Sequence, residues 1–318
     1  MSFSSQIKEE LAETAGNARH CQIAEIAALL SMSGQVSGIE NRRPQVIFRT
    51  ENVLVARKYF TLLRKTFNIN TEISVRRSSF LQKNGNYIFL VSKQDDVEKL
   101  ISATRLKPLA ESGQWIPGNR ILQNDCCRRA FVRGAFLASG SMSNPEKGYH
   151  FEISCTVREK AEQLAEVLAS FGVKARWILR KKYYVLYVKE GDQIVDILNV
   201  MAAHVALLNL ENIRILKGMR ETVNRQVNCE TANLGKTTLA ACGQINDIIL
   251  IQQKMGLDSL PAPLREMAQA RLDWPDLSLK ELGALLDPPL GKSGVNHRLR
   301  KLKELADSLR VNEEDVSC

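Results

Sequence analysis

"CQIAEIAALLSMSG", residues 21–34, and "CRRAFVRGAFLASG", residues 127–140, share a skeleton. Each begins with Cys, places Ala three residues on, runs through an apolar stretch and closes on Ser-Gly after the same interval. The second begins 106 positions after the first. A pattern recurring at this distance predicts one structural unit used twice, with these stretches as equivalent helices. Their Ala, Ser and Gly positions let two helix backbones approach closely.

The segments downstream of the two stretches repeat too. After the first come two strand-like segments, "QVSGIE" and "PQVIFRT", around a turn at Asn41–Pro44. "NVLVARKYFTLLRKTF" then reads as an amphipathic helix, with Val53, Tyr59, Phe60, Leu63 and Phe67 on its apolar face. "NTEISVRR" and "NYIFLVS" are strands joined by a turn at Lys83–Asn86, and a helix begins near Asp95, where acidic residues suit a helix N-terminus. In the second copy "YHFEISC" is a strand and "VREKAEQLAEVLASFG" a helix closed by Gly172. "KARWILRK" and "YYVLYVK" are strands, and "GDQIVDILNVMAAH" is a helix. The expected fold class is therefore α+β: a duplicated αββαββα domain, followed by an all-α helix-turn-helix domain. Expected boundaries are an N-terminal helix at 1–19, the double unit at 20–210 (halves about 20–105 and 120–210), a helical linker at 211–260 and the last domain at 261–318. Two small α+β units that merely pack, without nucleic acid, would give the same pattern.

The chain has 318 residues, 44% hydrophobic and 25% charged, ordinary values for a globular protein. No apolar run approaches the roughly 18 residues that span a bilayer, so no membrane partner is expected. The polar, helical opening "MSFSSQIKEELAE" does not read as a signal peptide, and a cytoplasmic, nucleoid-associated protein is expected. Seven cysteines without a C-x-x-C, and four scattered histidines, argue against a zinc site. Free thiols in a reducing compartment are expected, with no cofactor and no metal. The net charge of +9 favours a polyanionic partner, although excess charge also serves solubility. Its placement is more telling. "KARWILRKKYYVLYVK", Lys174–Lys189, interleaves basic residues with aromatics and has no acid, and the stretch Lys292–Lys303 is basic without an acid as well.

In the C-terminal third, "LENIRILKGMRETVNRQV" reads as a helix with Ile213, Leu216, Val223 and Val227 at helical spacing and Arg214, Lys217, Arg220 and Arg225 exposed. Gly235-Lys236-Thr237-Thr238 suggests a phosphate loop, but Glu230 stands where that loop needs glycine; "GKS" at Gly291 fails likewise, with Leu286 in that place. Nucleotide binding is not expected. "LDSLPAP", Leu257–Pro263, marks a boundary. Three helices come after it: "LREMAQARLDW", "SLKELGALLD" with a Ser278–Glu281 capping box, and "KSGVNHRLRKLKELADSL" after the "DPPLG" turn. In the third, Val295, Leu299, Leu302 and Ala306 point inward, while Ser293, Asn296, His297, Arg300 and Lys301 point outward, flanked by Lys292, Arg298 and Lys303. A helix-turn-helix reader needs this division: Asn pairs with adenine, Arg and Lys donate to guanine, and basic flanks hold phosphates. A basic, solvated helix in a packing module is the plain alternative.

The double unit resembles the LAGLIDADG homing-endonuclease fold. In that family the signature helices end in an acidic residue and glycine, the acids hold divalent metal for phosphodiester hydrolysis, and two sheets form a DNA-facing saddle. Here Ser33 and Ser139 stand in the acidic positions, and a neutral hydroxyl cannot replace a carboxylate as ligand for a hard, water-activating cation. No catalytic residue is expected.

Together with the C-terminal domain, the chain resembles the WhiA family of sporulation transcription regulators. The resemblance covers almost the whole chain, including "SFSSQIKEEL", "VNRQVNCETANLGKT" and "SGVNHRLRKLKELA". It implies a non-catalytic, sequence-specific binder of double-stranded promoter DNA, acting in cell division, chromosome segregation and, where present, sporulation. It also implies that the saddle serves as a contact surface for DNA or for another regulatory protein. The alternatives are an interaction protein of the division machinery with incidental DNA affinity, and an active nuclease using other metal ligands.

Overall fold

In the computed structural model, which describes residues 2–14, 16, 18–38, 44–77, 85–109 and 112–314, the two Cys-to-Ser-Gly stretches are helices packed on each other. The chain divides into two compact units, 1–217 and 218–318.

The first unit opens with α1 (Phe3–Glu13), α2 (Arg19–Ser33), β1 (Gly34–Ser37), β2 (Gln45–Thr50), α3 (Val53–Phe67), β3 (Glu72–Arg77), β4 (Gly85–Val91) and α4 (Gln94–Thr104). A small antiparallel pair, β5 (Leu106–Pro108) and β6 (Trp115–Pro117), precedes the second copy. That copy comprises α5 (Asp125–Ser139), β7 (Gly140–Met142), β8 (Phe151–Cys155), α6 (Arg158–Ala169), β9 (Arg176–Arg180), β10 (Tyr183–Val188) and α7 (Gly191–Met201). The sheets have the same topology, β1-β2-β4-β3 and β7-β8-β10-β9, all antiparallel. The duplicated order expected from sequence is present. The expected turns at Asn41–Pro44 and Lys83–Asn86 lie largely outside the described residues.

Alternation along the strands decides which sheet face meets the helices. Val46 and Phe48 of β2, Phe89 and Val91 of β4, and Leu186 and Val188 of β10 are buried, in one core that joins both copies. Within it Phe48 stacks on Tyr59 and Phe136 on Phe151, with ring centroids 4.1 and 5.3 Å apart. One assignment needs correction: Val53, expected on the apolar face of α3, is 56% exposed. It occupies the first turn, and the buried row is Val55, Tyr59, Leu62, Leu63 and Phe67.

The helix pair α2·α5 is close because Gly134 allows it. A Cβ there would lie 2.6 Å from the Glu25 carbonyl oxygen and 2.9 Å from the Ala28 Cβ. Buried charges cross the same interface. Glu25 accepts from Arg133 Nε and Nη2 at 3.2 and 3.0 Å and pairs with Lys58 Nζ at 2.6 Å. Lys58 also donates to the Leu11 and Thr14 carbonyls at 2.5 Å each. Burial holds Lys58 below the usual lysine range, with Glu25 pulling the other way. Lys160, 1% exposed, donates from α6 to the Ser31 carbonyl at 2.5 Å and to Gln114 Oε1 at 2.8 Å.

α8 (His204–Lys254) is a single helix of 51 residues, and the division between the units falls within it. The Glu10 carboxylate caps its start, accepting from Val205 N and Ala206 N at 2.8 and 3.0 Å. The helix expected at 210–227 is part of it, but its apolar row is uncovered: Leu216, Val223 and Val227 are each more than half exposed. Among the described residues no helix is long and apolar enough to cross a membrane.

The second unit adds α9 (Ala262–Asp273), α10 (Leu279–Ala284) and α11 (Lys292–Glu314). Its core contains Val295, Leu299, Leu302 and Ala306 of α11, as expected, together with Met267, Leu282 and Leu286. It also contains Ile248 and Ile251 of α8, ahead of the boundary read from sequence at 261.

Candidate nucleic-acid interface

α10 and α11 set the local geometry. Ser278 caps α10: Glu281 N donates to Ser278 Oγ at 3.4 Å, and Ser278 N donates to the Glu281 carboxylate at 2.9 Å. The Ser278 hydroxyl and the Ser278 backbone N–H beside it hold the Glu281 carboxyl below the usual carboxylate range. Between the helices Leu290 N donates to Gly283 O at 2.8 Å. A Cβ on Gly283 would collide with the Leu290 carbonyl at 2.1 Å, so the tight turn requires glycine. Arg271, 2% exposed, donates to the carbonyls of Pro275 and Leu277 at 3.2 and 2.8 Å and so pins the loop leading into α10.

On α11 the expected residues separate into three groups. Ser293, His297 and Lys301 are exposed. Lys292, Asn296, Arg300 and Lys303 are also exposed, and they line the α11 side of two grooves shared with α8; the groove containing Asn296, Arg300 and Lys303 has a volume of about 540 Å³. Arg300 Nε meets Glu304 at 3.3 Å in solvent. Arg298 stands apart: it donates to the Pro263 carbonyl at 3.1 Å and lies 3.9 Å from Glu266, which ties α11 to α9. Sequence reasoning missed Lys236, which lines the Lys292 groove from α8; a distant helix supplies it, and no local motif announces it.

In the first unit the basic strip Lys174–Lys189 divides by strand alternation. Trp177 and Tyr184 pack against the core, whereas Arg176, Ile178 and Arg180 of β9 lie opposite Tyr187, Val185 and Tyr183 on the other face. On the first sheet Arg49 and Arg76 are exposed. Lys217 donates to the Pro145 carbonyl at 2.7 Å and Arg214 pairs with Asp192 and Glu211, so two basic residues expected to be exposed are half-buried and engaged.

Ser33 and Ser139 close α2 and α5 as expected, and Ser139 Oγ is buried without a hydrogen-bond partner. The group capable of holding a metal lies at the opposite ends of the same helices. His20, Cys21, Cys126 and Cys127 bring their ligand atoms within 4.8 Å of one another. His20 Nδ1 is 3.1 Å from Cys127 Sγ, 3.4 Å from Cys21 Sγ and 3.9 Å from Cys126 Sγ. Among the described residues it is the one such group of three or more His, Cys, Asp or Glu. Cysteines and histidines that look scattered in sequence are thus assembled, because the fold joins one adjacent pair from each copy. Burial, with the sulfurs of Cys126 and Cys127 adding to it, pushes the Cys21 thiol up to about 12. The Cys127 thiol is raised by burial and Cys126.

Comparison with known proteins bears on the whole chain. Residues 19–107 match the WhiA N-terminal LAGLIDADG-like domain, 128–220 the WhiA LAGLIDADG-like domain, and 223–306 the WhiA C-terminal HTH domain. A probable cell division protein WhiA from Lachnoclostridium phytofermentans is 53% identical, covering 98% of this chain and all of its own length. A relative with the same description from Desulforamulus reducens is 46% identical over 99% of this chain and 98% of its own. The crystal structure of full-length WhiA from Thermatoga maritima aligns with a TM-score of 0.60 at 27% identity, covering 97% of this chain and 99% of that one.

Proposed function

The chain belongs to the WhiA family, and from that premise we propose that it is a non-catalytic, sequence-specific DNA-binding transcription regulator. We assign its targets to promoters of genes for cell division, chromosome segregation and, where the host has it, sporulation. The observation that carries this reading is the two-sided α11. Val295, Leu299 and Leu302 fix the helix in a core, leaving Ser293, Asn296, His297, Arg300 and Lys301 exposed. In the reading, Asn296 and Arg300 read base edges, whereas Lys292, Lys301 and Lys303 hold phosphates. Arg298 positions α11 through α9 rather than meeting DNA. The absence of carboxylates at Ser33 and Ser139 supports a scaffold without hydrolytic chemistry.

Fluorescence anisotropy on promoter and scrambled duplexes tests the assignment. Asn296→Ala or Arg300→Ala should remove about 1–3 kcal/mol of preference for the matched site. Lys301→Ala should weaken both duplexes alike. Supercoiled plasmid incubated with magnesium should stay intact; nicking that depends on magnesium would overturn the non-catalytic reading.

A second reading, an interaction protein of the division machinery with incidental DNA affinity, is favoured by one observation. Ile178, Leu179 and Tyr183, at the β9–β10 edge of the second sheet, are 49%, 60% and 41% exposed, and such apolar edges suit protein contact. The Arg300→Ala, Lys301→Ala double variant separates the two. Full rescue of a division defect by a variant that no longer binds DNA would favour the second reading.

A further inference from the structure

We propose that His20, Cys21, Cys126 and Cys127 form a structural zinc site that staples the two copies together at the N-terminal ends of α2 and α5. The donor set, three sulfurs and one imidazole nitrogen, is that of closed tetrahedral zinc sites. Zn–S bonds of about 2.3 Å and Zn–N bonds of about 2.0–2.1 Å make the edges of such a tetrahedron about 3.6–3.8 Å. The three sulfur-to-Nδ1 separations, 3.1, 3.4 and 3.9 Å, bracket that edge.

The placement is systematic. Cys21 and Cys127 are equivalent positions of the internal repeat, and so are His20 and Cys126 immediately before them. Each copy therefore contributes one adjacent pair, from the first turn of its own central helix. Cys21 and Cys127 are 7% and 3% exposed, packed with Ala24 and Ala130. His20 and Cys126 are at the surface, which gives an ion its route in.

Zinc suits these surroundings better than empty packing or a disulfide. A dication binds neighbouring sulfurs as thiolates and releases their protons, so one ion satisfies all three at once. Three thiolates on Zn²⁺ leave one net negative charge, which two helix N-termini favour. A disulfide would consume two sulfurs and leave the third, and the imidazole aimed at all three, without a role. With four protein ligands the ion has no open position, so its task is to hold the copies in register.

This inference is independent of the DNA-binding reading. Full-length protein purified under reducing conditions should contain one equivalent of zinc by mass spectrometry of the metal. Cobalt(II) exchanged into the site should give the intense visible absorption of a tetrahedral thiolate centre. His20→Gln and Cys126→Ser alter surface positions and should leave the circular dichroism unchanged while weakening zinc, in competition with a chromogenic chelator, by roughly tenfold or more. Cys21→Ser and Cys127→Ser should lose zinc and melt at lower temperature, and Cys229→Ser should retain both. The proposal fails if reduced protein supplied with zinc(II) takes up much less than one equivalent, or if the His20 and Cys126 variants bind it unchanged. It also fails if the isolated protein carries iron, or a disulfide among Cys21, Cys126 and Cys127 whose reduction does not restore zinc uptake.

Discussion

Gly134 and Glu25 set the terms on which the two copies meet. Glycine inside a helix costs about 1 kcal/mol relative to alanine, so the gain at position 134 lies outside α5. Gly134→Ala should reverse the usual preference: its Cβ would meet the Glu25 carbonyl and Ala28, and parting the helices should cost about 1–3 kcal/mol, read as a lower denaturant midpoint. Glu25 faces two buried cations, Lys58 and Arg133. Removing it leaves both without a counter-charge, and Glu25→Ala should destabilise the first unit by about 3–5 kcal/mol. A thermal melt unchanged in Glu25→Ala would mean that these cations find other partners. Neither residue stands out in the sequence; Glu25 reads there as one acid in a helix, because the charges that bury it come from α3 and α5.

Helices and strands were legible wherever period and caps agreed. The Ser278–Glu281 box, the acidic start of α4 and the inward row of α11 arise from local chemistry, and the structure places them as read. The β5–β6 pair was not legible: its strands have three residues each, too short to carry a period. Lys160 went unnoticed because a lysine in an amphipathic helix normally faces water, whereas here the connector's Gln114 and the α2 carbonyl of Ser31 draw it inside. Burial lowers Lys160 to about 8 from its usual 10.5. Between those values the unfolded chain holds a proton that the folded chain lacks, so this group makes folding more favourable as pH rises. Chemical denaturation of the wild type and Lys160→Met should therefore diverge from pH 8 to pH 10, in favour of the wild type. A constant difference across that range would place the folded pKa near the ordinary value. In α11, Arg298→Ala should lower the melting temperature of the second unit, because it releases Pro263 and Glu266, whereas Lys301→Ala should leave it unchanged.

At the scale of the whole molecule, duplication was readable from two Ser-Gly endings, but the partition of the C-terminal third was not. "LDSLPAP" carries every local sign of a linker, and a run of exposed residues precedes it in α8. What the composition conceals is that Ile248 and Ile251, each fully buried, complete the core beneath α11. Asp247 adds a tie, accepting from Arg310 Nη2 at 2.6 Å. Burying two isoleucines contributes several kcal/mol by area, at about 1.5–3 kcal/mol per side chain, comparable with the net stability of a small domain. A fragment of residues 218–318 should consequently unfold in one cooperative transition. A fragment of residues 261–318 should lose most of that cooperativity, and Ile248→Ala, Ile251→Ala in the longer fragment should reproduce the loss. If the short fragment melts as sharply and as late as the long one, α8 is a tether and the helix-turn-helix domain begins where its punctuation suggests.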